Sequence, residues 1–288
     1  MNLPDLTVVG PAFFEVFVPP PDARPVPGEE RYVDRIPVGL GGALNAASVA
    51  AALGLSVTFM HPAGDGLLDA AVRWAVGRLG VREVTWPARP DPFVSLVFSD
   101  SVDRAFLSHG DFDAMNRCPE IPLARWVHMG GIKEAFAVPL RVAAVRAAGA
   151  RVCACACWSP DDLRRLAAAT DRPLDLLVLN RHEAEAAAGD ADLAPERLQG
   201  AAADIVVTDG ERGAFGVLGG DRVHADAAPA RMVDPTGAGD AFSAGLVAGL
   251  IRGLAPADAL GFACRVAARV IGIQGGVVMD PAVLAGVW

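Results

Sequence analysis

Lysine is almost absent from this chain, in which Lys133 is the only lysine among 25 basic residues. A P-loop needs Gly-Lys-Ser or Gly-Lys-Thr after its glycines, and the sequence contains neither triplet, so a P-loop nucleotide site is excluded. Any other cationic side chain that contacts a phosphate would therefore be an arginine. The net charge of −9 also disfavours nucleic acid as a partner, because binding to a phosphate backbone needs a basic face.

Long hydrophobic runs are absent as well. No apolar stretch reaches the roughly 18 to 20 residues of a membrane span, and the N-terminal residues lack the basic and apolar regions of a signal peptide. With 52% hydrophobic and 20% charged residues, the composition is that of a globular protein. We therefore expect a cytoplasmic protein without a membrane partner, in which residues 1–288 form a single domain.

Metal-binding and disulfide patterns are also lacking. The five cysteines are odd in number and form no paired Cys-x-x-Cys knuckles, and the five histidines show no spacing typical of zinc ligands. Cys153, Cys155 and Cys157 alternate, so on a strand their thiols would share one face. A soft-metal site there is one interpretation, and a buried strand that uses cysteine as a small apolar residue is favoured. We expect no structural disulfide.

Strand-like apolar runs alternate with helical stretches from Leu6 to about residue 271. Such alternation predicts an α/β protein with a mainly parallel sheet and helices on both faces. Two segments interrupt it, approximately residues 11–38 and 93–109. The first contains the strand-like run Arg31 to Ile36, and the second is predicted to form two short strands around Ser99 to Asp103. Together they are predicted to form a small β-lid at the edge where open α/β sheets bind ligands.

The stretch from Asp234 to Phe242 places glycines and a carboxylate at a predicted helix start. The backbone N–H groups of Gly237, Ala238, Gly239 and Asp240 are expected to lack intrahelical acceptors and to form an anion hole. The helix dipole is expected to keep Asp240 ionised, so that it acts as the base for a hydroxyl that attacks a phosphoryl group. Simple helix capping by these residue types is the alternative interpretation.

This nonapeptide resembles the C-terminal signature of the ribokinase-like (PfkB) carbohydrate kinases. The segment from Gly39 to Ala47, a glycine turn that leads into a helix, is similar to their N-terminal signature. The resemblance implies a Rossmann-type three-layer α/β/α fold with a β-lid. It also implies that Gly41 and Gly42 let the acceptor lie against bare backbone while Asn45 binds its hydroxyls. Glu15 stands where the family usually has an aspartate that holds two substrate hydroxyls.

Two further segments match the family less specifically. Asn180 and Glu183 follow its Asn-x-x-Glu pattern, which implies that Glu183 positions Mg²⁺ through water, and a capping box is the alternative. The run from Thr208 to Gly213 resembles the nucleotide loop, with Thr208, Gly210 and Gly213 in their expected places. If ATP binds there, Asp209 and Glu211 are expected to face outward, and a plain hairpin turn is the alternative. The resemblance also implies a K⁺ site at Asp234.

The sequence therefore predicts an ATP- and Mg²⁺-dependent kinase that phosphorylates a hydroxyl of a small sugar, sugar acid, polyol or nucleoside. Departures from the family at Phe13, Glu15 and Cys155 keep a second hypothesis open, a non-catalytic ligand-binding relative. A nicotinamide-dependent oxidoreductase is disfavoured because Leu44 occupies the third glycine position of the dinucleotide fingerprint. Vitamin kinases with the same core are a further alternative, but they usually lack a lid, so the predicted lid strands disfavour this assignment. The exposed edges of the lid predict a homodimer through it.

Overall fold

The structure is a computed structural model that describes residues 3–19, 24–99 and 104–288. Its strands, in chain order, are β1 (Leu6–Val9), β2 (Ala12–Val18), β3 (Val38–Gly42), β4 (Val57–Ala63), β5 (Arg82–Pro87), β6 (Phe93–Ser99), β7 (Arg104–Gly110), β8 (Trp126–Met129), β9 (Arg151–Cys155), β10 (Leu174–Asn180), β11 (Ala202–Thr208), β12 (Ala214–Leu218) and β13 (Asp221–Ala225).

The α-helices of the same residues are α1 (Ala43–Ala52), α2 (Leu67–Leu79), α3 (Ile132–Ala137), α4 (Pro139–Ala147), α5 (Pro160–Ala167), α6 (Arg181–Ala188), α7 (Ala194–Arg197), α8 (Ala238–Ile251) and α9 (Pro256–Val270). Short 3₁₀ turns lie at Phe112–Arg117, Gly210–Arg212 and Pro281–Leu284. None of the helices in the described part of the chain is long and apolar enough to cross a membrane.

The main sheet has nine strands in the order β13-β12-β11-β10-β9-β8-β1-β4-β5. Strands β11 through β5 in this order are all parallel, and β12 and β13 extend the sheet as an antiparallel hairpin. Side chains of a strand point alternately to the two faces, so Val8 of β1 joins one apolar core and Val9 joins the other. Helices α1, α2, α8 and α9 cover the first core, and α3 to α7 cover the second. The predicted three-layer α/β/α fold is confirmed.

The lid is a second sheet of four strands in the order β3-β2-β6-β7. Its β6–β7 hairpin corresponds to the predicted strand pair, although the turn at residues 100–103 lies outside the described residues. The prediction of a strand from Arg31 to Ile36 was wrong, since that run is exposed and has no strand structure.

The remaining lid strands are β2 and β3, and β3 is a segment that the sequence predicted as a glycine turn. Glycine has a low intrinsic preference for strands, but β3 is held extended by its antiparallel pairing with β2, in which Glu15 lies opposite Gly39 and Phe13 opposite Gly41. Strand β3 ends at Gly42, and α1 begins at the next residue.

The carboxyl ends of the parallel strands bring the segments of interest to one edge of the main sheet. Strand β8 is followed by Gly130 and Gly131, and β9 is followed by Ala156 and Cys157. Strand β10 ends at Asn180, and β11 ends at Thr208. In open α/β sheets this edge is the place where ligands bind.

Candidate active site

Asp240 lies in the first turn of α8, whose N-cap residue Gly237 has a φ of 74° that favours glycine. Its carboxylate Oδ2 accepts a hydrogen bond of 2.8 Å from the side-chain amide of Asn45. Loss of hydration raises the pKa of Asp240 to about 6, although the Asn45 hydrogen bond acts to lower it. From the sequence, only the helix dipole is visible, and it favours an ionised Asp240. In the structure, desolvation outweighs it and makes Asp240 a stronger base than an ordinary aspartate.

The backbone around Gly237 forms a narrow turn in front of Asp240. A Cβ atom on Gly237 would lie 2.6 Å from the Cα of Gly276, so this position has room only for glycine. Gly239 faces open space, with no atom within 4 Å of a Cβ built there. The amide of Ala238, one of the predicted anion-hole donors, donates to the carbonyl of Pro235 at 3.2 Å. Gly239 and Asp240, as residues of the first turn, have amides without intrahelical acceptors.

Asn45 lies in the first turn of α1 and is buried, with 3% of its surface exposed. Its Cγ and Oδ1 lie 2.6 Å from where a Cβ on Gly276 would be, so the amide is held between that glycine and Asp240. Within the described residues its Oδ1 has no hydrogen-bond partner. The sequence assigned Asn45 to the acceptor, and the structure adds a contact with Asp240 that the sequence did not predict.

Glu15 and Gly41 face each other across the β2–β3 pair of the lid. The Glu15 side chain is 5% exposed, and its carboxylate lies directly over Gly41, where a Cβ would collide with Oε1. Gly42 has a φ of 68° and caps α1, three residues before Asn45. The structure therefore brings the four predicted acceptor residues, Glu15, Gly41, Gly42 and Asn45, to one strand-to-helix junction.

An aromatic wall continues from this junction. The ring of Phe13 lies edge-on to Phe93 at 5.3 Å, and Phe93 lies edge-on to Phe112 at 5.6 Å. The ammonium of Lys133, in α3, lies 3.4 Å from the centroid of the Phe112 ring, which is the geometry of a cation–π contact. Phe13 is half-buried and belongs to the lid packing. The only lysine of the chain therefore links the main body to the lid.

Asn180 and Glu183 form a capping box at the start of α6. The Asn180 side chain accepts from the Glu183 amide at 2.8 Å, and Glu183 Oε2 accepts from the Asn180 amide at 2.9 Å. The carboxyl of Glu183 is buried, and desolvation, followed by the charge of Asp240, raises its pKa to about 7. The capping alternative is thus present in the structure.

The run from Thr208 to Gly213 is the loop of the β11–β12 hairpin, and its glycines have left-handed φ values of 56° at Gly210 and 90° at Gly213. Asp209 does not face outward as predicted. Its side chain is 9% exposed and pairs with Arg181 and Arg212, both at 2.7 Å. Hydrogen bonds from these two guanidinium groups hold the pKa of Asp209 well below its usual range. Arg181 follows Asn180 directly, so this ion pair connects the two predicted nucleotide segments.

Asp234 fastens the loop that precedes α8. Its Oδ1 accepts from the Thr236 amide at 2.9 Å and from the Thr236 hydroxyl at 2.6 Å, and its Oδ2 accepts from the Gly275 amide at 2.9 Å. These bonds place Gly275 and Gly276 beside Gly237. A K⁺ site at Asp234 stays a prediction.

The cysteines of β9 do not share one environment. The strand ends at Cys155, and Cys157 has a φ of 49°, so its thiol leaves the strand pattern. Cys153 contacts buried His128 at 3.1 Å, whereas Cys155 contacts Ser243 of α8 at 3.1 Å and lies 4.0 Å from Asp240. Burial raises the pKa of the Cys155 thiol, and the Asp240 charge raises it further, so Cys155 is a neutral neighbour of Asp240.

Glu134 is a site residue that the motifs did not include. It lies in α3 with 7% of its surface exposed, and burial raises the pKa of its carboxyl, with a further contribution from Asp240. The signal that could have identified it is the glycine pair Gly130 and Gly131, which follows the buried strand β8 and ends three residues before Glu134. The described residues contain no group of three or more His, Cys, Asp or Glu side chains placed to hold a metal ion.

Comparison with known proteins identifies the family. The family model described as pfkB family carbohydrate kinase matches residues 5–282. Local matches include an inositol 3-kinase from Zea mays, 47% identical over 55 residues, and a ketohexokinase from Mus musculus, 44% identical over 57 residues. Each match covers 19% of this chain, and they cover 14% of the maize protein and 19% of the mouse protein. The chain thus matches only a small part of the length of these two relatives.

Solved structures show the same fold over nearly the whole chain. A probable sugar kinase from Rhizobium etli CFN 42 has a TM-score of 0.81 at 20% identity and covers 100% of both chains. An adenosine kinase from Sinorhizobium meliloti has a TM-score of 0.80 at 19% identity and covers 99% of this chain and 98% of that one. The ribokinase of Arabidopsis thaliana, complexed with ribose and ATP, has a TM-score of 0.77 at 19% identity and covers 100% of this chain and 99% of its own. The match to residues 5–282 places this chain in the pfkB family of carbohydrate kinases.

Proposed function

We propose that this protein transfers a phosphoryl group from ATP to a hydroxyl of a small sugar, sugar acid, polyol or nucleoside, with Asp240 as the general base. The observation that carries the proposal is the place of Asp240 in the first turn of α8, beside the amides of Gly239 and Asp240 and with its carboxylate held by the Asn45 amide at 2.8 Å. Loss of hydration also raises the pKa of Asp240 to about 6. A base with a pKa just below neutral is ionised at pH 7 and still accepts a proton from a hydroxyl in the transition state.

The residues divide into two groups on either side of Asp240. Glu15, Gly41, Gly42 and Asn45 hold the acceptor, since a buried carboxylate accepts two hydrogen bonds from a diol and the glycines let it approach the backbone. On the other side, the amides of Gly239 and Asp240 stabilise the charge of the transferring phosphoryl group, and such donors are typically worth about 3 to 4 kcal/mol each. The Ala238 amide is not one of them, because it donates to the Pro235 carbonyl. The acceptor hydroxyl is proposed to be a primary one.

Nucleotide binding is assigned to Asn180, Thr208, Gly210 and Gly213. Their positions fit this role, because the Arg181–Asp209 ion pair places both segments together at the carboxyl ends of β10 and β11. When bound, Mg²⁺ would neutralise charge on the phosphate oxygens.

Glu183 fits a water-mediated contact with Mg²⁺. It is a single carboxylate with one oxygen already bonded to the Asn180 amide, and Mg²⁺ prefers few carboxylates and keeps several waters. A K⁺ ion at Asp234 is part of the same proposal, as is a cytoplasmic location, where ATP is available.

The test is ADP release by wild-type protein and by Asp240→Asn against a panel of sugars, sugar acids, polyols and nucleosides. We expect the variant to keep its fold and to lose about 10²- to 10⁴-fold in turnover, the usual contribution of a general base. Asp258→Asn is the matched control, because Asp258 also lies in the first turn of a helix but is exposed.

Two results would contradict the proposal. Wild-type turnover in Asp240→Asn would show that Asp240 is not the base. Tight binding of panel compounds without ADP release by the wild type would favour the alternative, a non-catalytic ligand-binding protein.

We also propose that two copies associate through the lid. Large apolar side chains are exposed on the lid and its connecting segment, among them Tyr32 at 86%, Leu107 at 64%, Ile36 at 56% and Phe106 at 52%. A second copy that covered these side chains would remove their apolar surface from water. Sedimentation equilibrium of the wild type and of Leu107→Glu tests this, and a monomeric wild type at micromolar concentration would refute it.

A further inference from the structure

A cavity of about 330 Å³ opens where the edge strand β3 of the lid meets α2 and the segment 274–279 that follows α9. The residues at its floor include Ala75, which has no exposed surface, and Phe17, which is 8% exposed. Its rim carries Trp74, which is 64% exposed, and Val38, which is 61% exposed. The cavity therefore has a closed floor and an open mouth, and its volume lies near the lower end of the roughly 300 to 1,000 Å³ of small-molecule sites.

The lining of this cavity is apolar and rich in aromatic rings. Phe14, Phe17 and Trp74 contribute three rings. None of the described residues that line the cavity carries a charge, and Gln274 has the only polar side chain among them, whose Oε1 accepts a hydrogen bond of 2.6 Å from Arg35. A charged ligand would lose hydration here without gaining a lining group of opposite charge, whereas an uncharged aromatic ring would gain contacts with rings. The chemistry of the lining thus fits a small uncharged aromatic molecule.

Two walls of the cavity continue into the proposed acceptor site. On the lid side, the lining residue Gly39 lies two positions before Gly41 on β3. On the other side, the lining residue Gly275 is followed by Gly276, where a Cβ would lie 2.6 Å from the Cγ of Asn45. A ligand in the cavity therefore contacts both the strand that leads to the acceptor residues and the loop that packs against Asn45.

We propose that this cavity is a second ligand site, that it binds a small uncharged aromatic molecule, and that its occupant strengthens acceptor binding. The occupant bridges β3 and the segment 274–279, so it holds the lid in the position that brings Glu15 and Gly41 to the same junction as Asn45. The effect on the acceptor rests on the proposed phosphotransferase function, whereas the binding of the aromatic molecule does not.

Calorimetry with 1-naphthylmethanol, an uncharged two-ring compound, tests the site on the wild-type protein. We expect saturable binding with a Kd below about 1 mM, which a ligand of this size reaches at ordinary efficiency per atom. The charged counterpart 1-naphthoate should bind about tenfold more weakly or not at all, because no lining residue pairs with its carboxylate. Absence of saturable binding of 1-naphthylmethanol would refute the site, and equal affinity for 1-naphthoate would overturn the assignment to uncharged ligands.

Two variants locate the bound molecule in the cavity. Ala71→Phe adds a ring to the α2 wall and should abolish binding, while Ala70→Phe, its control, adds the same ring at the exposed neighbouring position and should leave the Kd unchanged. Trp74→Ala removes a ring from the rim and should weaken binding about fivefold or more.

Trp158→Ala is the control for Trp74→Ala, because Trp158 is also exposed but does not line the cavity. Since Trp74 is exposed, its variant is expected to keep its fold and secures the test if Ala71→Phe does not fold. Wild-type affinity in Trp74→Ala, or in folded Ala71→Phe, would place the bound molecule elsewhere and refute the site.

The effect on the acceptor is measured with an acceptor that supports ADP release. Saturating 1-naphthylmethanol should lower the Kd of this acceptor by about fivefold or more, the lower end of typical coupling between two sites. By linkage, the acceptor should lower the Kd of 1-naphthylmethanol by the same factor. Competition between the two ligands would show that the cavity is part of the acceptor site and would overturn a separate second site.

Failure of the phosphotransferase proposal gives a different result. In that case ADP release is absent with every acceptor, and the effect on acceptor binding falls with it. Binding of 1-naphthylmethanol and its loss in Ala71→Phe would remain, because neither depends on phosphoryl transfer.

Discussion

The side-chain amide of Asn45 donates a hydrogen bond of 2.8 Å to the carboxylate of Asp240, 195 residues later in the chain. The bond joins the first turn of α1 to the first turn of α8, and thus the proposed acceptor site to the proposed base. A hydrogen bond to a carboxylate stabilises its charged form and lowers its pKa. Asn45 therefore limits the rise that burial causes at Asp240.

Asn45→Leu keeps the approximate shape of the side chain and removes this donor. We predict that the pKa of Asp240 rises above about 6 in the variant and that the acid limb of kcat/KM moves to higher pH. The pH–rate profiles of the variant and wild type provide the measurement. If the limb stays in place while the rate falls, Asn45 serves the acceptor alone.

Asp240→Asn is predicted to be more stable than wild type at pH 8. The pKa of Asp240 is raised in the folded protein, so its contribution to stability is full below pH 3.8 and is lost as the pH rises through about 6. At pH 8 the ionised carboxylate therefore opposes folding, and its replacement by an amide raises the free energy of unfolding by about 1 kcal/mol. This figure is smaller than the full pKa shift would give, because the side chain is only half-buried and solvent screens its charge. Urea unfolding at pH 8 and at pH 4 checks this, and the difference should disappear at pH 4.

The substitution Gly276→Ala is predicted to disturb the Asn45–Asp240 contact, although it changes neither of these two residues. The added Cβ would lie 2.6 Å from Asn45 Cγ and Oδ1, so the amide must move. We expect a loss of at least about tenfold in kcat, since a small misplacement of a positioning group is costly. In Gly77→Ala, the control, the Cβ meets no atom within 4 Å and lies inside α2, so activity should be unchanged.

Gly41→Ala is predicted to act on the acceptor and not on ATP. Its Cβ would collide with the Glu15 carboxylate, which would have to leave its position over β3. Initial-rate measurements should then give a KM for the acceptor that is about tenfold higher or more, with the KM for ATP within twofold of wild type. A rise in both constants would mean that the lid strand supports the whole cleft and not the acceptor alone.

Local patterns predicted much of this fold. The run from Asp234 to Phe242 indicated a helix after a glycine turn, and α8 begins at Ala238. The short apolar runs Leu6–Val9 and Trp126–Met129, which are typical of buried strands, coincide with β1 and β8.

Features that depend on distant partners were not predicted. Strand β3 is rich in glycine and is extended only because β2 pairs with it. Asp209 carries no local sign that Arg181, from another segment, neutralises it. The rise in the pKa of Asp240 depends on burial by the folded chain, whereas the sequence shows only its place at a helix start. The burial of Glu134 beside the end of β9 depends on the pairing of β8 with β9, which the sequence alone does not show.

Gly42 belongs to two parts of the molecule at once, as the last residue of lid strand β3 and the N-cap of α1. If the lid moved relative to α1, the backbone would have to bend at or before Gly42. The first turn of α1, which follows directly, contains Asn45. Asn45, the donor to Asp240, lies only three positions after Gly42 in the sequence, so a change in the backbone at Gly42 would act almost directly on it. A bound acceptor that displaced the lid would therefore shift Asn45 and change the acidity of Asp240, so that proton transfer would depend on occupancy of the pocket.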